Sequence, residues 1–118
     1  MIAKLSESSD SVIGFKVSGT VKKDDYQVLI PEVEAAVQNN KSANLLLDLT
    51  ELEGEALEAW GSDMKFGREY RKKINKMAIV GDKRWQQWMT KLAEPLFAKK
   101  ARYFESSRAN EAWVWLRA

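Results

Sequence analysis

The sequence predicts an α/β domain, a single mixed and mainly parallel five-stranded sheet with an antiparallel N-terminal edge, covered by about four helices. Three observations carry this expectation. Short apolar runs of strand type alternate with segments whose apolar residues recur at helical spacing. The run Leu45-Leu46-Leu47 is nearly continuous, as in a strand covered on both faces. Only the turn-rich Ser8-Ser9-Asp10-Ser11 separates the first two strand-like runs, too short for a parallel crossover.

The elements follow in chain order. Residues 2–5 and 12–19 read as two antiparallel strands, with Ile13, Phe15 and Val17 on one face. Asp24 and Asp25 are placed to cap a helix whose Tyr26, Leu29, Ile30, Val33 and Val37 share one stripe. Pro31 lacks an N–H and is expected to divide that helix into two pieces, opening the second. Asn39-Asn40 ends it, and residues 44–49 form the central strand. The acids Glu51, Glu53, Glu55 and Glu58 lead into a helix reaching about Arg71, where acid-first, base-last order complements the helix dipole. Residues 76–80 form a fourth strand, Gly81-Asp82 turns and caps, and residues 83–98 are helical with a break at Pro95. Residues 100–104 form the fifth strand. Ser106 or Ser107 then caps a last helix with Ala109, Ala112, Trp113 and Leu116 in one stripe. The whole chain, 1–118, reads as one domain without a repeat or linker.

Composition narrows the chemistry. With no Cys and no His, disulfides, thiolate and imidazole metal ligands, Ser-His-Asp triads and cysteine nucleophiles are excluded. Carboxylates, Lys and Tyr remain as acids and bases, and no Gly-rich phosphate loop occurs, so the expectation is a non-catalytic chain with no metal and no cofactor. Asp48 at the end of the central strand and Asp82 after the fourth lie where open α/β sheets bind ligands, but solvent exposure and capping account for them. Charge is uneven: residues 1–60 hold five bases against eleven acids, and residues 61–118 fourteen bases against six acids. That asymmetry suggests an anionic partner for one face, unless the two halves neutralise each other within the domain. No apolar run approaches the ~20 residues of a membrane span, and residues 1–5 lack signal-peptide character. The expected location is cytoplasmic, with peripheral attachment at the inner membrane face.

Several stretches in a fixed order resemble one family. Gly19-Thr20, Asp25-Tyr26, Ile30-Pro31, Leu46-Leu47-Asp48-Leu49, Ala78-Ile79-Val80-Gly81-Asp82-Lys83-Arg84-Trp85, Arg102-Tyr103-Phe104 and Ala112-Trp113-Val114-Trp115-Leu116 look like the SpoIIAA-like family over nearly the whole chain. That family is related in fold to STAS domains and compared with CRAL-TRIO lipid-binding domains, and the implied fold agrees with the alternation above. The related anti-anti-sigma factors carry a phosphorylatable serine where the central strand runs into the next helix, in a pattern like Asp-Ser-Ser-Gly. Here that stretch is Leu52-Glu53-Gly54-Glu55-Ala56-Leu57-Glu58-Ala59, without a hydroxyl and with carboxylates that repel phosphate. The phosphorylation switch does not carry over. Ser62 sits a turn inside the expected helix rather than at its start.

Two apolar arrangements suggest a site. In the helix over 55–71, Leu57, Trp60 and Met64 form one face while Phe66 and Tyr70 lie nearly opposite. One face packs on the sheet, and the other requires a neighbouring helix, a second subunit or an apolar ligand. In the helix over 83–98, Trp85, Trp88, Met89 and Leu92 follow i, i+3, i+4, i+7, flanked by Lys83, Arg84 and Lys91 and continuing through Leu96 and Phe97 to Lys99 and Lys100. Such a stripe serves as core, or as an interfacial face for anionic lipid, and both hold if the helix is a lid hinged at Gly81 and Pro95. The expected function is a non-catalytic module binding an apolar or lipid-like ligand through Trp60, Met64, Trp85, Trp88, Met89, Leu92, Leu96 and Phe97. Lys83, Arg84, Lys91, Lys99 and Lys100 would meet anionic membrane. The alternative is a STAS-type protein–protein regulatory module lacking the phosphorylatable serine, with a homodimer as one form it would take. Nucleic acid ranks third, because the pI of 8.8 is modest, the N-terminal half is acidic and no recognition motif occurs.

Overall fold

Among the described residues, five strands form one sheet, in the spatial order of the sequence. The computed structural model describes residues 1–9, 12–19, 26–40, 42–52, 73–82 and 99–118, with residues 26–28 described as backbone only. Ile2–Lys4 (β1) runs antiparallel to Val12–Gly19 (β2), pairing Ile2 with Val17 and Lys4 with Phe15. Ser9 and Val12 close the connection by exchanging backbone hydrogen bonds of 2.9 Å each, and the Leu5 N–H donates to the Gly14 carbonyl at 2.8 Å. Ala43–Leu52 (β3) lies parallel between β2 and Ile74–Gly81 (β4), and Lys100–Glu105 (β5) lies parallel to β4. The mixed sheet with an antiparallel N-terminal edge is therefore present as the sequence predicts.

Side-chain alternation divides the apolar residues between two faces. Phe15, Val17, Leu45, Leu47, Leu49, Met77 and Ile79 cluster on one face beneath the helix Tyr26–Asn40 (α1), which contributes Leu29, Val33, Ala36 and Val37. Val12, Leu46, Ala78, Val80 and Phe104 cluster on the other beneath the helix Ala109–Arg117 (α2), which contributes Ala112, Trp113 and Leu116. Leu45, Leu46 and Leu47 are all buried, the first and third on the α1 side and Leu46 on the α2 side, so their continuous apolar run reflects a strand covered twice.

Two expectations are corrected. α1 is one helix running through Pro31 rather than two pieces. Pro31 is exposed while Leu29, Val33, Ala36 and Val37 are buried, so the apolar stripe stays on the sheet across the missing N–H and its burial outweighs one lost hydrogen bond. At the last helix neither Ser106 nor Ser107 is an N-cap. Ser106–Arg108 forms a 3₁₀ turn, with no side-chain cap at either junction. The Ala109 N–H donates to the Ser106 carbonyl instead, so a tighter backbone turn satisfies a donor that a serine hydroxyl was expected to meet. The expected helices over 55–71 and 83–98, and the capping residues Asp24 and Asp25, lie outside the described residues. No helix among the described residues is long and apolar enough to cross a membrane.

Candidate functional site

β5 and α2 meet along an open groove of about 690 Å³, within the size range of ligand sites. Its floor follows from strand alternation: Lys100, Arg102 and Phe104 fall on the α2 face, and Ala101, Tyr103 and Glu105 on the α1 face. Phe104 is buried in the α2 core, and the Arg102 guanidinium lies 4.8 Å from the centre of its ring. After the 3₁₀ turn, α2 packs back against β3, β4 and β5. The Trp115 ring comes to 5.8 Å from that of Phe104, with the planes tilted by 50°. The Lys76 ammonium lies 5.4 Å from the Trp115 ring and donates to the Trp115 and Ala118 carbonyls at 3.0 and 3.2 Å. It thereby clamps the negative end of the helix. Val114, 69% exposed, forms the apolar lip on the helix side.

The charges are ordered along β5. Lys99, Lys100 and Arg102 are exposed toward its start and make no ion pair among the described residues. Glu105 and Asp82 stand at its far end beside Tyr103. Arg108 pairs with Glu111 at 3.5 Å on an exposed surface, where such a pair contributes about 0–1 kcal/mol. Burial, then the carboxylates of Glu105 and Asp82, push the Tyr103 phenol above its ordinary value of about 10. The folded state therefore keeps this proton where the unfolded chain releases it, and stability falls as pH rises past about 10. In an ultraviolet titration a phenolate transition above about 10 should be lost in Tyr103→Phe and move downward in Glu105→Gln. An unchanged transition in both variants would refute the assignment.

Of the residues that the sequence marks, Trp60, Met64, Trp85, Trp88, Met89, Leu92, Leu96, Phe97, Lys83, Arg84 and Lys91 lie outside the described residues. Lys99 and Lys100 are described, exposed at the amino end of β5, with Lys100 in register with Lys76 of β4. Gly81, the expected hinge, is the buried last residue of β4 and pairs with Glu105. Asp48 is corrected: β3 extends to Leu52, so Asp48 lies within the strand. Its Oδ1 accepts hydrogen bonds from the Thr50 N–H at 3.0 Å and the Thr50 hydroxyl at 2.7 Å, a local link across the register shift beside β2. Sequence reasoning missed Arg102, Phe104, Val114 and Trp115 as a group. One signal was available, since Val114 and Trp115 are apolar yet fall off the buried stripe of Ala112, Trp113 and Leu116.

Comparison with known proteins gives a consistent relationship. The family model described as SpoIIAA-like matches residues 12–117. The crystal structure of an uncharacterized protein of the DUF3478 family with a SpoIIAA-like fold, from Shewanella loihica PV-4, is 32% identical. It superposes with a TM-score of 0.76 over 98% of this chain and 93% of that one. An anti-sigma factor antagonist from Mycobacterium paratuberculosis, 19% identical, shares the fold with a TM-score of 0.53 over 100% of this chain and 96% of that one. No functionally curated protein matches the sequence.

Proposed function

The chain belongs to the SpoIIAA-like family, and from that premise we propose that it is a non-enzymatic regulatory module that works by binding a protein partner. The observation that carries this reading is the composition of the β5–α2 groove. Arg102, Tyr103 and Trp115 belong to the residue types that dominate binding energy at protein interfaces, and they line the same groove as the exposed Val114. The fold shared with an anti-sigma factor antagonist supports a protein as the partner. Because residues 53–59 carry no hydroxyl, binding here is not controlled by a serine phosphate at that position. The competing reading, a lipid-like ligand and an anionic membrane, rests on the spacing of Trp85, Trp88, Met89 and Leu92.

Site-specific photo-crosslinking in cells tests the two against each other. A photoreactive side chain at Val114 is expected to give a discrete adduct with another protein. The adduct should be absent from the exposed control position Gln38 on α1 and lost on adding Arg102→Glu. The purified protein is expected to stay in solution with anionic vesicles at near-physiological salt. Co-sedimentation with those vesicles that Lys99→Glu and Lys100→Glu abolish, with no protein adduct, would replace this reading by the membrane one. An adduct containing only two copies of this chain would replace it by self-association.

A further inference from the structure

We infer that the partner presents a carboxylate beside an apolar side chain, and that Arg102 is the residue that reads the carboxylate. The inference rests on the partner-binding reading and adds the chemistry that the groove selects. Its basis is Phe104, which holds a cation and an aromatic ring together. Phe104 is buried, with the Arg102 guanidinium 4.8 Å from the centre of its ring and the Trp115 ring 5.8 Å away. Contact with an aromatic face restrains a guanidinium while its N–H groups, which lie in its plane, stay free to donate. Arg102 is exposed, and among the described residues those groups have neither an ion pair nor a hydrogen bond. A restrained planar fork loses little further freedom on pairing and matches a carboxylate with two parallel hydrogen bonds.

The groove's own acids do not meet this cation. Glu111 pairs with Arg108 at 3.5 Å, and the Glu105 side chain belongs to the opposite face of β5. Lys100 adds to the charge: it lies two residues from Arg102 on the same face, about 7 Å along the strand, within a screening length of about 8 Å at physiological salt. The Lys76 ammonium, in register with Lys100, is engaged by the Trp115 and Ala118 carbonyls. Toward α2 the surface turns apolar, through half-buried Trp115 and exposed Val114. A partner therefore matches the groove when its acid stands next to an apolar side chain. One that covers Arg102 without supplying an acid leaves a desolvated charge unpaired and is rejected. A carboxylate suits the site better than a phosphate dianion, because Glu105 and Glu111 line the same groove and repel the second charge.

The probes are capped peptides titrated into uniformly ¹⁵N-labelled protein and followed through the Arg102 Nε–H, the Val114 amide and the Trp115 indole. In Ala-Thr-Glu-Thr-Leu-Thr-Ala the acid and the apolar residue share one side of an extended chain, and in Ala-Gln-Glu-Ala-Ala-Gln-Leu-Ala-Gln they share one side of a helix. Each has a counterpart with Gln in place of Glu. At least one Glu peptide is expected to bind with a millimolar Kd and to move all three signals, about tenfold more tightly than its Gln counterpart. Arg102→Glu should abolish that binding. The same peptide with Lys in place of Glu should bind the Arg102→Glu variant better than the original protein, a reversal that a misfolded variant cannot give. Equal binding of the Glu and Gln peptides, or of a Glu peptide to the original and Arg102→Glu proteins, would overturn the inference. So would shifts confined to another surface, or no binding up to about 10 mM peptide. Inorganic phosphate that moves the Arg102 Nε–H signal at lower concentration than either Glu peptide would also overturn it and assign the cation to a phosphate. Where the Glu peptides fail but crosslinking at Val114 still captures a protein, the carboxylate reading falls and the partner-binding reading stands. Where both fail, both fall.

Discussion

Replacing Trp113 by Ala is expected to cost about 3–5 kcal/mol, and replacing Gly14 by Ala about 1–3 kcal/mol, yet the double variant is expected to be no less stable than Trp113→Ala alone. The reason is a close approach between α2 and β2. A Cβ at Gly14 would stand 2.4 Å from the Trp113 Cη2 and 2.8 Å from its Cζ2, and 3.1 Å from the Leu5 Cδ1. The first two distances require the indole to shift, and Trp113 is only 7% exposed, in contact with the buried residues of the α2 face. Leu5 can yield, because its contact is the end of a flexible side chain. Once the indole is removed the added methyl has room. Ala is then favoured over Gly within a strand by about 0.5–1 kcal/mol, so the sign of the Gly14 substitution reverses. Urea unfolding of the four proteins, with equal slopes, measures this cycle. A Gly14→Ala variant as stable as the original, or costs that simply add, would show that the indole does not rest on Gly14. The consequence reaches the candidate site, because the position of Trp113 on β2 fixes α2 and with it the Val114 and Trp115 side of the groove.

What the sequence reveals of this fold is what local periodicity encodes. The run at Leu45–Leu47, the alternation through Ile13, Phe15 and Val17, and the stripe of Ala112, Trp113 and Leu116 each state which side of an element is buried, and each is found so. Pro31 shows the limit. A local rule breaks the helix there, whereas packing of α1 along the sheet keeps it whole. The serines before α2 fail as caps for a related reason, since a 3₁₀ turn can satisfy the backbone without them. The groove was less legible still. Its walls are formed by residues 102–105 and by a helix placed by contacts with β3, β4 and β5, a juxtaposition that no spacing rule contains. The Trp-rich segment over 83–98 drew attention because helical spacing is readable without a fold. Arg102 and Phe104, two residues apart on a strand, carry no such mark until Trp115 lies against them.

Asn44→Ala is expected to cost about 2–4 kcal/mol, far more than an exposed-looking polar residue at the start of a strand suggests. The pairing of β3 with β4 shifts between Ala43, opposite Ile74, and Asn44, opposite Lys76, leaving one extra residue on β4. At that irregularity the Asn44 Oδ1 accepts a hydrogen bond of 3.2 Å from the Lys76 N–H. The Asn44 Nδ2 donates at 2.6 Å to the Leu116 carbonyl, in the last turn of α2. One half-buried side chain thus replaces a missing ladder bond and satisfies a helix-terminal carbonyl. Lys76 completes the arrangement with the Trp115 and Ala118 carbonyls, so the last turn of α2 is held by side chains of β3 and β4. Alanine leaves both the Lys76 N–H and the Leu116 carbonyl without these partners at the seam between sheet and helix. Native-state hydrogen exchange should then show the Lys76 amide losing protection, and Trp115 fluorescence should shift as the end of α2 loosens. If stability and the Lys76 amide are both unchanged, water replaces the Asn44 amide without cost and the clamp is not what holds α2 in place. If both change while Lys76→Met alone leaves the Lys76 amide protected, the two clamps act separately: Asn44 holds the sheet to the helix, and the Lys76 ammonium holds only the helix end that bears Trp115.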